Sequence, residues 1–260
     1  MGAETRVVFA IRTAGWHFLL GAILLVILAA AIFHFWFPYP YRKLLGGQHL
    51  IGLIFLVDVV CGPLLTTIVA RPGKSRRELR LDISLIVCLQ ILALGYGIYV
   101  ASQARPVALV YEVDRFVAVS ASQVEPEELA DAPIGYQALP FFSGPLLVGV
   151  REPLNGNEAL QSIELSMRGK EPSVRPGWWQ AYAASQPQIQ KRMRQMSLLI
   201  NNEKMHPILD DVLSAIDRPV DRLYFLPLTS RSSMDEWIVI LDENAEVVAY
   251  APVGGFDIPH

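Results

Sequence analysis

The apolar stretch at residues 50–70 reads LIGLIFLVDVVCGPLLTTIVA, and its only charged side chain is Asp58. An α-helix rises 1.5 Å per residue, so a helix of this length spans about 30 Å, which is the thickness of the hydrocarbon core of a bilayer. Two further apolar runs of sufficient length are at residues 16–37 and 83–101. The sequence therefore predicts three transmembrane α-helices within its first hundred or so residues.

The charge distribution separates this region from the rest of the chain. Residues 1–103 contain 9 Lys and Arg and 4 Asp and Glu, a net charge of +5, whereas residues 104–260 contain 13 and 21, a net charge of −8. A hydrophobic content of 52% and only two cysteines argue against a disordered chain and a disulfide-rich module. The acidic polar part argues against nucleic-acid binding. We expect a membrane domain over residues 1–103, embedded in the lipid bilayer, and one further domain over residues 104–260.

Basic residues in the short loops predict the orientation, because Lys and Arg near the ends of spans are retained in the cytoplasm. The loop between the second and third runs contains five of them: Arg71, Lys74, Arg76, Arg77 and Arg80. The loop between the first two runs contains only two, next to aromatic residues suited to the lipid headgroup region: Trp36, Phe37, Tyr39 and Tyr41. We expect a cytoplasmic amino terminus in a bacterial inner membrane, with residues 104–260 in the periplasm.

Residues 104–260 change to short segments separated by turn signals. Short apolar segments bounded by turn signals predict a β-hairpin at residues 107–112 and 116–119, and further strands at residues 223–226, 237–241 and 247–250. Apolar residues at every third or fourth position predict helices at residues 157–168 and 187–201. Together these segments predict a small α+β domain.

The outer domain lacks the residues of common catalytic sites. It contains no cysteine, and its only histidines are His206 and His260. Neither a nucleophile-and-base motif nor a metal-ligand motif is found. We therefore expect no enzymatic activity, no cofactor and no metal site.

Asp58 requires an explanation, because an isolated carboxylate near the middle of a bilayer costs about 2.5–3.5 kcal/mol. Five residues later, Pro63 lacks the N–H of an intrahelical hydrogen bond, so we expect a kink there that Gly62 eases. Small residues at the same depth would let another helix approach closely. The residues at this depth on the other two spans are Ala29–Ala31, Gly95 and Tyr96.

Three roles are open for Asp58 on the residues alone. Its carboxylate is satisfied within the chain, for example by the hydroxyl of Tyr96. Alternatively, Asp58 belongs to a site that receives the transmembrane helix of a partner. In the third case, Asp58 is part of an ion or proton pathway in an oligomer, together with Tyr96, Gln90 or His34.

A set of short motifs runs from the first loop to the start of the outer domain. They are WFPYPY at residues 36–41, DxxxGPLLT at residues 58–66, PxKSRRELxxD at residues 72–82, RPVA at residues 105–108 and DRF at residues 114–116. Their order and spacing resemble those of the TfpX/TfpZ-type accessory proteins of type IV pilins. The resemblance covers the membrane half and the first hairpin, and it is only general beyond about residue 120.

The resemblance implies a non-enzymatic, chaperone-like inner-membrane protein that assists the assembly of a particular pilin into type IV pili. Its expected partners are the major pilin and other inner-membrane components of the pilus machinery. We expect residues 104–260 to contact the pilin head, and a site in the membrane to contact the pilin helix: Asp58, Gly62, Pro63, Thr66 and Tyr96. A membrane-anchored periplasmic sensor and an oligomeric ion- or proton-conducting protein that uses Asp58 are the alternatives.

Overall fold

The chain folds as two units. The computed structural model describes three parts of the chain: residues 3–69, 75–201 and 205–256. The first unit, which we call the helical unit, contains residues 1–36 and 46–103. The second, the sheet unit, contains residues 104–260 and also residues 37–45. The nine residues 37–45, which lie between the spans Ala14–Phe35 and Gly47–Val69, therefore belong to the same unit as the outer domain.

The helical unit confirms the predicted membrane architecture. The long helices are α1 (Ala3–Phe35), α3 (Gly47–Phe55), α4 (Gly62–Val69) and α5 (Arg76–Ala104). A short helix between α1 and α3, α2 (Tyr41–Leu44), belongs to the sheet unit. A π-helical turn, Leu56–Cys61, joins α3 to α4. Within the described residues, three segments are long and apolar enough to cross a membrane: Ala14–Phe35, Gly47–Val69 and Arg77–Ala104.

Helix α5 begins earlier than the sequence predicted, because Ser75 and Glu78 form a capping box. The hydroxyl of Ser75 accepts a hydrogen bond from the N–H of Glu78 at 3.2 Å. The carboxylate of Glu78 accepts one from the N–H of Ser75 at 2.9 Å. These bonds satisfy backbone donors at the start of the helix, so part of the predicted basic loop is helical. Arg71 and Lys74 of that loop lie outside the described residues.

A small apolar core joins the long helices. It contains Leu25 of α1, Ile54 of α3 and Val59 of the π-helical turn, and Leu94 of α5 packs against it. At Gly97 of α5, a Cβ atom would lie 2.8 Å from the side chain of Ile54, so glycine permits this close approach. Most large apolar side chains of the spans are exposed, as expected where the surrounding solvent is lipid.

The sheet unit contains a mixed sheet of eight strands. They are β1 (Pro106–Glu112), β2 (Arg115–Ser120), β3 (Leu146–Val150), β4 (Trp179–Ala181), β5 (Arg194–Gln195), β6 (Tyr224–Thr229), β7 (Trp237–Leu241) and β8 (Val247–Ala251). The strand order is β4-β3-β1-β2-β6-β7-β8, and β5 pairs with β6. The pairs β1–β3 and β2–β6 are parallel, and the others are antiparallel. The remaining helices are α6 (Gly156–Met167), α7 (Tyr182–Arg192), α8 (Ser197–Ile200) and α9 (His206–Leu213).

The structure confirms the predicted α+β class, the β1–β2 hairpin, α6 and the last three strands. The single helix predicted over residues 187–201 is wrong. Helix α7 ends at Arg192, and Met193 takes an extended conformation with ψ of 143°. Residues 194–195 then pair with β6 in an antiparallel ladder. Tertiary strand pairing thus overrides the helical spacing of the apolar residues, and β3 and β4 were not predicted at all.

Residues 37–45 complete the core of the sheet unit. Tyr41 and Leu44 of α2 are buried in the same apolar cluster as Leu228 of β6 and Val239 of β7. The hydroxyl of Ser230 donates a hydrogen bond to the carbonyl of Leu44 at 2.8 Å. Two rings of the loop also make edge contacts, Tyr39 with Trp237 and Tyr41 with Tyr250. Of the aromatic residues that the sequence predicted for the headgroup region, Phe37 and Tyr41 are therefore buried in protein, whereas Tyr39 is 47% exposed.

We expect Leu44→Ala to destabilise the sheet unit, because Leu44 is fully buried against β6 and β7. A buried Leu→Ala change typically lowers the free energy of unfolding by about 2–5 kcal/mol. Denaturant-dependent hydrogen exchange of the β6 and β7 amides in the full chain measures this loss. Lys43→Ala on the exposed side of α2 is the control, and equal protection in the two variants would contradict the packing of this loop.

Candidate functional site

Asp58 lies in the π-helical turn and is 8% exposed. Its Oδ1 atom is buried and has no hydrogen-bond partner among the described residues. A buried polar atom without a partner costs free energy, and the cost is greater when the group is charged. The helical unit therefore holds an acceptor that its described residues leave unsatisfied.

Pro63 leaves the carbonyl of Asp58 without a donor in the π-helical turn. In a π-helix, the carbonyl of one residue accepts from the N–H five residues later. For Asp58 that residue is Pro63, which has no N–H. The side chain of Gln90 on α5 supplies the missing donor, since its Nε2 donates to the carbonyl oxygen of Asp58 at 3.0 Å. The kink predicted from Pro63 thus takes the form of a π-helical turn, stabilised by a neighbouring helix.

Gly62 gives Gln90 the room to reach this carbonyl. A Cβ atom at position 62 would lie 2.1 Å from Nε2 of Gln90, which no packed side chain tolerates. The Oε1 atom of the same amide is buried and, within the described chain, has no hydrogen-bond partner. Gln90 and Asp58 therefore each present an acceptor oxygen for which the described residues provide no donor.

Thr66 forms a second polar connection between two spans. Its hydroxyl is buried and donates to the carbonyl of Gly62 at 2.9 Å. Nδ1 of His17 on α1 lies 2.7 Å from the hydroxyl oxygen of Thr66. Because a hydroxyl has one proton, this geometry makes Nδ1 of His17 the donor to Thr66. The polar residues of the second span are thus bonded to α5 at one depth and to α1 at another.

The structure brings together some of the predicted site residues and separates another. Asp58, Gly62 and Thr66 are buried among the helices, and Pro63 is half-buried. Tyr96 is 69% exposed, and in the described structure no hydrogen bond joins it to Asp58. The predicted pairing of the Tyr96 hydroxyl with Asp58 is therefore absent from the described chain, and Gln90 is the α5 residue that reaches Asp58.

His17 is a residue of this region that the sequence analysis did not identify. The position of His17 along its span could have identified it. His17 lies as close to the start of the first span, Ala14, as Thr66 lies to the end of the second span, Val69. Antiparallel spans place such positions at one level. Among the described residues, no group of three or more His, Cys, Asp and Glu could hold a metal ion.

Helix α6 of the sheet unit has no buried residue, and one of its faces presents a row of apolar side chains. Three apolar side chains with helical spacing form this row: Leu160, Ile163 and Met167. The helix is held at its start by Asn155, whose side chain accepts from the N–H of Glu158 at 2.9 Å. Hydrogen bonds from Arg151 and from the N–H of Leu154 lower the pKa of Glu158 to about 2. The start of α6 is thus fixed by polar contacts while its apolar row stays exposed.

Comparison with known proteins relates the whole chain to proteins of fimbrial assembly. A family model described as "Fimbrial assembly protein FimB" matches residues 5–46. The fimbrial assembly protein of serogroup I of Dichelobacter nodosus is 36% identical over 257 residues, which cover 98% of this chain and 99% of that protein. The serogroup E1 protein of the same organism is 35% identical over 257 residues, with the same two coverages.

A shorter relative, the fimbrial assembly protein of serogroups C1 and C2 of Dichelobacter nodosus, is 42% identical over 129 residues. These residues cover 50% of this chain and 98% of that protein. No solved structure matches the chain. The three apolar helices and these full-length relatives confirm the resemblance to the type IV pilin accessory proteins. Since relatives at 35–36% identity extend over nearly the whole sequence, the chain belongs to the family of fimbrial assembly proteins and has a role in the assembly of fimbriae.

Proposed function

We propose that this protein is a non-enzymatic accessory factor that holds a pilin in the bacterial inner membrane before its assembly into a type IV pilus. The observation that carries the proposal is the incomplete polar site in the second span. Asp58 and Gln90 each bury an acceptor oxygen for which the described residues provide no donor. On binding, the two side chains would turn toward the transmembrane helix of a pilin, and that helix would bring an N–H or O–H group to these oxygens.

The outer surface of the second span provides the apolar contact that a partner helix needs. Leu56 and Val60 lie on either side of Asp58 in the sequence, and both are exposed. On α5, Gly95 is exposed, and a Cβ atom there would meet nothing within 4 Å. Small residues permit close helix packing in lipid, where dispersion contacts and polar bonds drive association. Tyr96, next to Gly95, would contact the partner from the exposed surface.

The proposed topology places the sheet unit in the periplasm, on the side of the pilin head. Residues 37–45 fold within the sheet unit, so they and residues 104–260 lie on one side of a membrane crossed by three spans. The loop between the second and third spans contains more basic residues than the loop between the first two. This favours the cytoplasm for the loop between the second and third spans. The apolar row of α6, Leu160, Ile163 and Met167, is the surface that we propose for contact with the head.

We expect Asp58→Asn to reduce surface piliation severalfold while the protein stays at its normal level in the membrane. The amide retains the size of the carboxylate but removes its charge and replaces one acceptor oxygen with an NH2 donor, so the site loses part of its preference for a donor from a partner. Sheared pili and membrane fractions, both quantified by immunoblot, measure the two quantities. Asp82→Asn on α5 is the control, and normal piliation of Asp58→Asn would remove Asp58 from the mechanism.

Photo-crosslinking in native membranes tests the contact itself. A photoreactive residue at Leu56, Val60 or Thr67 should give a pilin adduct, whereas one at the exposed Leu20 of α1, outside the proposed site, should give little. In the sheet unit, a probe at Met167 of the apolar row is compared with one at Met234, an exposed methionine outside it. Adducts only with a second copy of this chain would contradict pilin holding and favour an oligomeric conducting protein.

We expect Gly62→Ala to impair the site through Gln90. The added methyl group forces the Gln90 side chain away from the Asp58 carbonyl, and overpacking of this kind lowers the free energy of unfolding by about 1–3 kcal/mol. Unfolding of the full chain in micelles and piliation in cells are the two measurements. Combining it with Gln90→Ala should cost less than the sum of the single changes, because the collision is then removed.

Gly52→Ala is the matched control for this variant. It lies in the same span, is exposed, and a Cβ atom there would meet nothing within 4 Å. Alanine is the better helix former, so stability should be unchanged or slightly higher. If Gly62→Ala behaved like Gly52→Ala, the close approach of Gln90 would not matter for the site.

A further inference from the structure

Two adjacent aromatic residues of the sheet unit stay exposed. Phe141 is 46% exposed and Phe142 is 66% exposed, and both lie in the loop that precedes β3. Their rings contact each other edge to face, with centroids 4.7 Å apart. Single exposed apolar side chains are common on proteins, but an adjacent pair of phenylalanines concentrates apolar surface in one place.

The first residue after the third span contacts this loop. Arg105 follows Ala104, where α5 ends. Its Nε donates to the carbonyl of Pro140 at 3.3 Å, and its Cζ lies 4.8 Å from the centroid of the Phe141 ring. Because Arg105 is covalently attached to the end of a membrane-spanning helix, these contacts keep residues 140 and 141 close to that end.

The register of the sheet independently gives the same position. Strand β3 runs parallel to β1, and Leu146 lies opposite Ala108. The residues just before Leu146 therefore lie at the same end of the sheet as the residues just before Ala108, which connect to α5. Both the ring contact and the strand register place Phe141 and Phe142 at the end of the sheet unit where the chain enters it from the third span.

We propose that Phe141 and Phe142 insert into the interfacial region of the lipid bilayer and attach the sheet unit to the membrane surface. The occupant of this surface is lipid, at the boundary between headgroups and acyl chains. Phenylalanine is among the residues with which interfacial segments insert into this boundary, because its ring has a large apolar area. This attachment is separate from the pilin-holding proposal and needs no partner protein.

The test uses the full chain in lipid nanodiscs made of phosphatidylethanolamine and phosphatidylglycerol. Nitroxide spin labels are attached one at a time at Phe142→Cys and Phe141→Cys, after replacing Cys61 and Cys88 with alanine. Collision rates of each label with oxygen, which concentrates in lipid, and with a water-soluble nickel chelate give its depth. Val113→Cys is the control, because Val113 is exposed at the opposite end of β1, in the turn to β2.

We expect the ratio of oxygen to nickel collisions to be severalfold higher at position 142 than at position 113, with position 141 also above the control. Equal ratios at positions 142 and 113 would overturn the proposal, because both labels would then be in water. Low collision rates with both reagents at positions 141 and 142 would also overturn it, since the rings would be covered by protein. Protection of the β1 amides from hydrogen exchange verifies that each labelled chain is folded.

Discussion

Pro63 has no backbone N–H, and it stands within a helix that crosses a bilayer. Water is absent from the hydrocarbon core, so every carbonyl that loses its helical donor needs another one from protein. The chain meets this requirement with a π-helical turn and with the amide of Gln90, which donates to the carbonyl of Asp58 at 3.0 Å. Gly62 is then needed because no larger residue leaves room for that amide. One missing hydrogen-bond donor thus fixes the local geometry of two spans.

The chain connects the spans to the sheet unit at more than one place. The residues between the first two long helices do not form a free loop, since Tyr41 and Leu44 belong to the apolar core beneath β6 and β7. The polypeptide therefore passes between the two units three times, after residues 36, 45 and 103. Removing residues 1–103 from the outer domain would leave that core without part of its own packing, so the sheet unit is not simply the region that follows the last span.

The sequence predicted those features that depend on composition and on local spacing. Three long apolar runs are typical of three helices of bilayer length, and short apolar segments between turn signals are typical of strands, as at β1, β2, β7 and β8. The sequence did not predict structure that depends on contacts between residues far apart in the chain. At Met193, for example, the apolar spacing favours a continued helix, but residues 194–195 pair with β6 and the helix ends. The sequence identified Asp58, Gly62 and Thr66 from their spacing along one helix, and their role in binding a partner stays a prediction. One of the open roles for Asp58, satisfaction by the Tyr96 hydroxyl, is not seen in the described structure, because depth along a span does not give the direction of a side chain.

An unsatisfied buried oxygen is a cost that a purely structural helix would avoid, because a leucine or alanine at position 58 would pack in lipid without it. The bend does not need the carboxylate either, since Pro63 produces it and the Gln90 amide bonds to the backbone carbonyl. The carboxylate oxygen Oδ1 and the Gln90 oxygen Oε1 therefore contribute nothing that the described fold requires. A second molecule that brings a donor would recover this free energy on binding, and only while it stays bound. Such a site favours a partner that is held in the membrane and can still be released, which is what assembly of a filament from membrane-embedded subunits demands.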